Sequence, residues 1–220
     1  MKNIVIIGGS KGIGNAILLQ QLKNNKVFNI SRNAPEITHA NLTHFSLNVL
    51  EDALPEIENI DTLIYCPGSI NLKPIGSLSV EDFRNDFEIN VIGAVKAIQK
   101  YLPTLKKGID PSIVLFSTVA VKLGMPYHAS IAASKAGVEG LVKSLGAELA
   151  SVIRINAIAP TITETTLAAG ILRNDRMKEN MVERHPMKGY LKPEEVASMA
   201  NFLSSESAKS ISGQIFEMDY

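Results

Sequence analysis

Apolar positions along the chain fall into two alternating patterns. The first is the short, largely apolar run: Ile4–Ile7, then KVFNI at 26–30, HFSL at 44–47, DTLIYC at 61–66, SIVLF at 112–116, VIRINAIA at 152–159 and QIFEM at 214–218. Runs of this kind predict strands, and Ile4–Ile7 and SIVLF read as buried ones, as in a parallel sheet. The second is the helical spacing between them. It predicts helices over Asn15–Leu22, a short Glu51–Ile57 interrupted by Pro55, Ser79–Leu102, Tyr127–Ala150 and Pro193–Leu203. Ser79 with Asp82 reads as an N-terminal capping arrangement, and Phe83, Phe87, Val91, Val95 and Ile98 form one apolar stripe. Thr163–Asn180 is polar and helix-prone without a stripe, and reads as a flap. Strands alternating with helices imply a doubly wound α/β domain of about seven parallel strands with right-handed crossovers, spanning 1–220 without a linker or repeat.

The N-terminal strand runs into Gly8-Gly9-Ser10-Lys11-Gly12-Ile13-Gly14 and then into a helix. Strand, glycine turn and helix place backbone N–H groups and a helix N-terminus against a phosphate, the Rossmann-type arrangement for a dinucleotide. The spacing Gly-x-x-x-Gly-x-Gly permits a tight turn and a close approach of pyrophosphate to the main chain. No Gly-Lys-Ser/Thr follows the last glycine, which argues against a nucleoside-triphosphate loop.

The end of the second strand faces the adenosine ribose in such a fold. No Asp or Glu lies between Lys26 and Pro35, and Ser31-Arg32 stands there instead. An acidic residue would bind a 2′-hydroxyl and repel a 2′-phosphate, whereas a guanidinium suits bidentate phosphate contact. With Lys11 able to lie on the same side, the reading favours NADP(H) over NAD(H), the alternative being that Arg32 is a solvated loop charge.

Composition narrows the function classes. Of 220 residues, 45% are hydrophobic and 20% charged, with 22 basic against 22 acidic. No global basic field exists to attract nucleic acid or an anionic membrane. The single cysteine, Cys66, excludes an intramolecular disulfide and fits a reducing compartment. No apolar run approaches the ~18 residues of a membrane span, and a strand from residue 3 leaves no room for a signal peptide, so a cytoplasmic location is expected. No metal-ligand spacing stands out.

Three polar positions sit among apolar ones. Asn90 interrupts the stripe of the long helix, Ser117-Thr118 stands at the carboxyl end of the fifth strand, and Lys135 lies in the following helix. That helix has an unusually small face (Ala129, Ala132, Ala133, Ala136, Gly137, Gly140), suited to close packing against the sheet or a second subunit.

In order, the pieces GGSKGIG at 8–14, Asn90-Val91-x-Gly93, FST at 116–118, ASKAGVEGL at 133–141, RINAIAP at 154–160, PEEVA at 193–197 and ISGQ at 211–214 resemble the short-chain dehydrogenases/reductases, particularly the compact bacterial ketoacyl-carrier-protein reductases. The resemblance covers nearly the whole chain. It implies hydride transfer between a nicotinamide and a carbonyl or alcohol of a small or acyl substrate, in a homodimer or homotetramer. The family works with Asn, Ser, Tyr and Lys. Asn90 matches the Asn and Lys135 the Lys, while the Ser position falls on Thr118, which keeps the hydroxyl. The resemblance also implies cofactor contacts at Gly8, Ser10, Lys11, Gly12, Ile13, Gly14, Ser31, Arg32, Asn48, Val49, Cys66, Gly68, Asn90, Lys135, Pro160, Thr163 and Thr165.

The family tyrosine, four residues before the lysine, is replaced by Ile131, which has no proton to give. Loss of a general acid costs about 10² to 10⁴ in rate. Asn-Asn-Ala-Gly after the fourth strand reads Tyr65-Cys66-Pro67-Gly68, another departure near the reacting centre. Tyr127 and His128, at the start of the helix, are candidate substitute acids. Two readings therefore compete: a reductase with an atypical active site, and an NADP(H)-binding pseudo-enzyme or regulatory subunit. Lyase or isomerase chemistry in the same pocket is a weaker third.

Overall fold

The computed structural model describes residues 1–171 and 175–219. In chain order its elements are β1 (Asn3–Ile7), α1 (Gly12–Gln21), β2 (Lys26–Ser31), β3 (Leu42–Ser46), β4 (Thr62–Tyr65), α2 (Val80–Phe87), a π-helical turn (Glu88–Ile92), α3 (Gly93–Leu105), β5 (Ser112–Phe116), α4 (Ala120–Leu123), α5 (Ala129–Glu148), β6 (Arg154–Pro160), α6 (Asp175–Arg184), α7 (Pro193–Leu203) and β7 (Ile215–Met218). The seven strands form one sheet in the order β3-β2-β1-β4-β5-β6-β7. Every pairing is parallel, for example Val5 opposite Phe28 on one side and Leu63 on the other.

Side chains alternate across β1 and build both layers. Val5 and Ile7 pack with Ala97, Ile98, Val138 and Val142 of α3 and α5, while Ile4 and Ile6 pack with Ile17 and Leu18 of α1 and Ala197 and Ala200 of α7. Strand order reverses at β1, whose neighbours β2 and β4 lead in opposite directions, so the crevice outside the carboxyl ends of β1 and β4 is the place where such a fold binds ligands.

Three differences from the sequence-based expectations have physical causes. Glu51–Ile57 is no helix: the chain turns at Leu50–Asp52 and continues irregularly, because Pro55 removes a donor from a segment too short to spare one. The expected single helix over Ser79–Leu102 is divided into α2 and α3 by the π turn at Glu88–Ile92. Its start is as expected, with Ser79 Oγ accepting from Asp82 N at 3.1 Å and Asp82 Oδ2 accepting from Ser79 N at 2.8 Å. That bond, with the Lys73 ammonium and the Ser79 hydroxyl beside it, holds the Asp82 carboxyl below the usual carboxylate range. Tyr127 lies outside α5, in the left-handed region at φ +68°, which stops the helix from starting there. The flap contains a 3₁₀ turn, Thr166–Ala168, and α6; residues 172–174 lie outside the described residues. No helix among the described residues is long and apolar enough to cross a membrane.

Candidate active site

Glycine geometry builds the floor of the site. Gly8 and Gly12 have φ of +82° and +54°, values that side chains disfavour. A Cβ on Gly14 would lie 2.2 Å from Gly8 O, and one on Gly9 2.6 Å from Asn29 Oδ1. The turn is therefore closed tightly onto the start of α1, with no side chain of its own at Gly8, Gly9, Gly12 and Gly14. It is held from β2: the buried Asn29 accepts from Gly9 N at 3.0 Å, and Gly8 N donates to Ile30 O at 2.8 Å. Asn29 also donates to Ser31 Oγ at 3.0 Å, which uses the Ser31 hydroxyl internally. Arg32 and Lys11 are exposed, and among the described residues neither belongs to an ion pair.

The other end of the candidate site is assembled from β4, the π turn and α5. Tyr65 OH donates to Ile89 O at 2.6 Å, satisfying a carbonyl of the π turn. Only a glycine fits opposite it, since a Cβ on Gly93 would lie 2.1 Å from that oxygen. The turn so fixed presents Asn90, which is buried and whose Nδ2 donates to Asp86 O at 2.8 Å, Ser134 Oγ at 3.1 Å and Ser69 Oγ at 3.2 Å. Among the described residues Asn90 Oδ1 has no hydrogen-bond partner. It lies beside Lys135 across Gly68: a Cβ there would be 3.4 Å from Asn90 Oδ1 and 3.5 Å from Lys135 Nζ.

Lys135 is buried, which overturns the ordinary expectation of a solvated lysine. Its Nζ donates to Phe116 O at 2.9 Å. Burial pushes its ammonium down to about 8, against the opposing pull of Cys66 and Asp86. Burial also pushes the Cys66 thiol up to about 12, with Lys135 acting in the opposite sense.

These groups open into a cavity of about 530 Å³ at the carboxyl ends of β4, β5 and β6. Its wall includes Ile13, Cys66, Gly68, Thr118, Tyr127, His128, Ile131, Lys135, Pro160, Thr163 and Thr165, all positions singled out in the sequence. Thr165 packs on the glycine turn, its Cγ2 3.3 Å from where a Cβ of Gly12 would stand. Gly8, Ser10, Lys11, Gly12, Gly14, Ser31, Arg32, Asn48 and Val49 lie outside this wall, as does Asn90 behind Gly68. Asn48 spends its polar groups locally, its N–H on Asp52 Oδ2 at 2.6 Å and its Oδ1 on Leu50 N at 3.2 Å.

Ser117 and Thr118 divide the work of two adjacent hydroxyls. Ser117 Oγ donates to Glu139 Oε1 at 2.5 Å, whereas Thr118 Oγ1 takes only a 3.3 Å bond from Ala120 N. Thr118 is therefore the freer hydroxyl on the wall. Tyr127 is 60% exposed. His128 bonds through Nδ1 to Pro126 O at 2.7 Å; a carbonyl only accepts, so Nδ1 carries the proton and Nε2 of the neutral ring is an acceptor.

Sequence reasoning missed several wall and supporting groups. His185 is buried, with Nε2 2.8 Å from Thr161 Oγ1 and 3.8 Å from Asp219 Oδ1. Asp86 and Ser69 are joined at 2.5 Å behind Gly68. The readable signal for Asp86 was its position one turn before Asn90, on the same helical face.

The family model for enoyl-(acyl carrier protein) reductase matches residues 44–220. A 3-oxoacyl-[acyl-carrier-protein] reductase of Thermotoga maritima is 32% identical over 172 residues, covering 78% of this chain and 69% of its own. The corresponding enzyme of Staphylococcus epidermidis is 24% identical over 241 residues, covering 99% and 97%. Among solved structures, Thermoplasma acidophilum aldohexose dehydrogenase superposes with a TM-score of 0.89 at 27% identity, over 99% of this chain and 92% of that one. ElxO with NADP bound gives 0.85 at 25% identity, over 99% and 97%. Glycine turn, sheet order, buried Asn90 and Lys135, and these likenesses lead to one conclusion: the chain belongs to the short-chain dehydrogenase/reductase family of oxidoreductases.

Proposed function

We propose that the protein reduces a carbonyl group with NADP(H), in an active site that works without the family tyrosine. The observation that carries the reading is the cavity shared by Lys135, Thr118 and Ile13 of the glycine turn, with Asn90 Oδ1 unpartnered among the described residues behind Gly68. These residues fit a dinucleotide: the turn leaves its main chain bare where a Cβ would collide, and the buried ammonium and amide oxygen suit ribose hydroxyls. When bound, the nicotinamide supplies or accepts hydride.

Gly8, Ser10, Gly12, Ile13 and Gly14 would hold the pyrophosphate, with Thr163 and Thr165 on its nicotinamide side. Lys11 and Arg32 would take the 2′-phosphate, since no carboxylate stands between Lys26 and Pro35. The relative named ElxO with NADP bound supports that preference. Thr118 would donate its hydroxyl to the substrate carbonyl oxygen and polarise it. Ile70, Leu72, Leu123, Met125, Leu167 and Ile171 line the same cavity. Such a wall suits an aliphatic or acyl ketone better than a sugar, in keeping with the 3-oxoacyl-carrier relatives. Soluble assembly as a homodimer or homotetramer belongs to the same reading.

Ile131 favours a second reading, in which the chain binds NADP(H) as a pseudo-enzyme or regulatory subunit. The experiment that separates them is NADPH titration by fluorescence, followed by NADPH oxidation with a panel of 3-ketoacyl thioesters and simple ketones. Binding with turnover supports reduction. Binding without turnover across the panel supports the second reading.

A further inference from the structure

A buried polar cluster lies between α2 and α5, behind Lys135. Asp86 and Asn90 stand one turn apart on one side; Ser130 and Ser134 stand one turn apart on α5; Ser69 joins them from the loop after β4. Asp86 is 3% exposed, Asn90 1% and both serines 0%. Asn90 donates to Ser134 and Ser69, and Ser69 donates to Asp86 Oδ1. Three atoms of this cluster are nevertheless unpartnered among the described residues: Asp86 Oδ2, Asn90 Oδ1 and Ser130 Oγ. A packed core does not place a carboxylate there without a compensating charge.

Asp86 has no cation within ion-pair distance among the described residues. Its charge acts on Lys135, and so does Cys66 from the end of β4. Burial keeps the Cys66 thiol neutral at neutral pH, so Asp86 is left as the opposing charge. Other charged groups on the elements packed against α5 are engaged elsewhere: Glu81 with Arg84, Asp82 with Lys73, Glu88 with Lys96, Lys122 with Glu217, Arg154 with Asp110. Glu139, on α5 itself, accepts from Ser117, and the His128 and His185 rings share the cavity wall.

We propose that Lys135 is itself the proton donor, and that Asp86 is the buried counter-charge holding it in the ammonium form. The proposal rests on the carbonyl-reduction reading above. Ile131 puts no hydroxyl on the cavity side of α5 one turn before Lys135, and Ser130 and Ser134 face the buried cluster instead, so the ammonium is the proton source that α5 offers the cavity. As the carbonyl carbon gains hydride from the reduced nicotinamide, the carbonyl π pair moves to oxygen. One N–H bond of Lys135 breaks, its electrons stay on nitrogen, and the proton forms the O–H bond of the alcohol. Lys135 becomes a neutral amine and regains a proton from solvent. A midpoint near 8 suits a donor working at neutral pH.

The test is a lysine ¹³Cε NMR titration of the cofactor-free protein, with Lys135 assigned by its loss in Lys135→Met. Lys135 is expected to titrate below the other lysines, with its midpoint about one unit lower in Asp86→Asn, a tenfold change in the ammonium-to-amine ratio. An unchanged midpoint overturns the counter-charge. Should Asp86→Asn fail to fold, the Asp86 ¹³Cγ resonance of the parent is expected to step at the Lys135 midpoint, and a flat response overturns the proposal. In turnover, the alkaline limb of the kcat profile is expected to move down by the same unit in Asp86→Asn; a limb that stays put overturns the donor role. Failure of NADPH to bind in the separate fluorescence titration strikes at the reduction reading, and leaves the Lys135–Asp86 pairing to be judged by NMR.

Discussion

Ile131 stands one helical turn before Lys135 on α5, and the two side chains line one cavity, 5% and 8% exposed. Residues four apart face the same side of a helix, so whatever occupies 131 governs what Lys135 can touch. Removing the ammonium with Lys135→Met is expected to lower turnover by about 10² to 10⁴. The check is single-turnover NADPH oxidation at saturating cofactor, which separates chemistry from binding.

Lys135 also leaves a signature in stability. Its folded midpoint, about 8, lies below the ~10.4 of an unfolded lysine. Between those values the unfolded chain binds more protons than the folded one, so this residue's contribution rises with pH through the window and is least favourable below it. The difference in unfolding free energy between the parent and Lys135→Met is expected to move in the parent's favour by roughly 1 kcal/mol per pH unit from about pH 8 to 9.5. Denaturant melts of both proteins across that range measure it, and subtraction removes the other titrating groups.

Arg32 is expected to choose the cofactor. Replacing it with alanine removes a charge-assisted contact to a 2′-phosphate and leaves the 2′-hydroxyl of NADH indifferent. NADPH affinity is expected to fall by about 10- to 100-fold, with NADH affinity changed less than about threefold. Paired fluorescence titrations at one fixed salt concentration decide this, since the phosphate contribution is salt-sensitive.

The glycine turn separates space from strain. Gly14→Ala would place its Cβ 2.2 Å from Gly8 O, and backbone cannot step aside as a flexible side chain can. It is expected to destabilise by about 1–3 kcal/mol and to remove dinucleotide binding. Gly140→Ala meets nothing within 4 Å, and in a monomer should stabilise α5 by ~1 kcal/mol. Loss of stability in Gly140→Ala instead would mean that this small face is covered by a second subunit, which light scattering would confirm.

Strands were legible in the sequence because parallel strands are buried on both faces and leave an uninterrupted apolar run, as Ile4–Ile7 and Ile113–Phe116 do. Asn90, Thr118 and Lys135 came from the family resemblance that their motifs carry, and Pro193 and Ser79 were legible through cap chemistry. The π turn at Glu88–Ile92 was not, because one extra residue within a helix carries no composition of its own; only the bond from Tyr65 to Ile89 O reveals what holds it. Asp86 left only its spacing from Asn90 as a signal, for a different reason. Next to Arg84 and Asn85 it looks like surface charge, and only the packing of α2 on α5 buries it. Likewise Tyr127 and His128 read as a helix start, but a left-handed Tyr127 turns that segment into the cavity rim.

The central claim is that carbonyl reduction survives without the family tyrosine. NADPH oxidation by the parent and by Ile131→Tyr, over one panel of ketoacyl thioesters and ketones, tests it most directly. The account expects the parent to turn over at least one substrate, with Ile131→Tyr changing the rate by no more than about tenfold because Lys135 already donates the proton. A parent that binds NADPH without consuming it, beside an Ile131→Tyr variant that gains turnover, would contradict the account and leave the chain as a cofactor-binding relative of the enzymes it resembles.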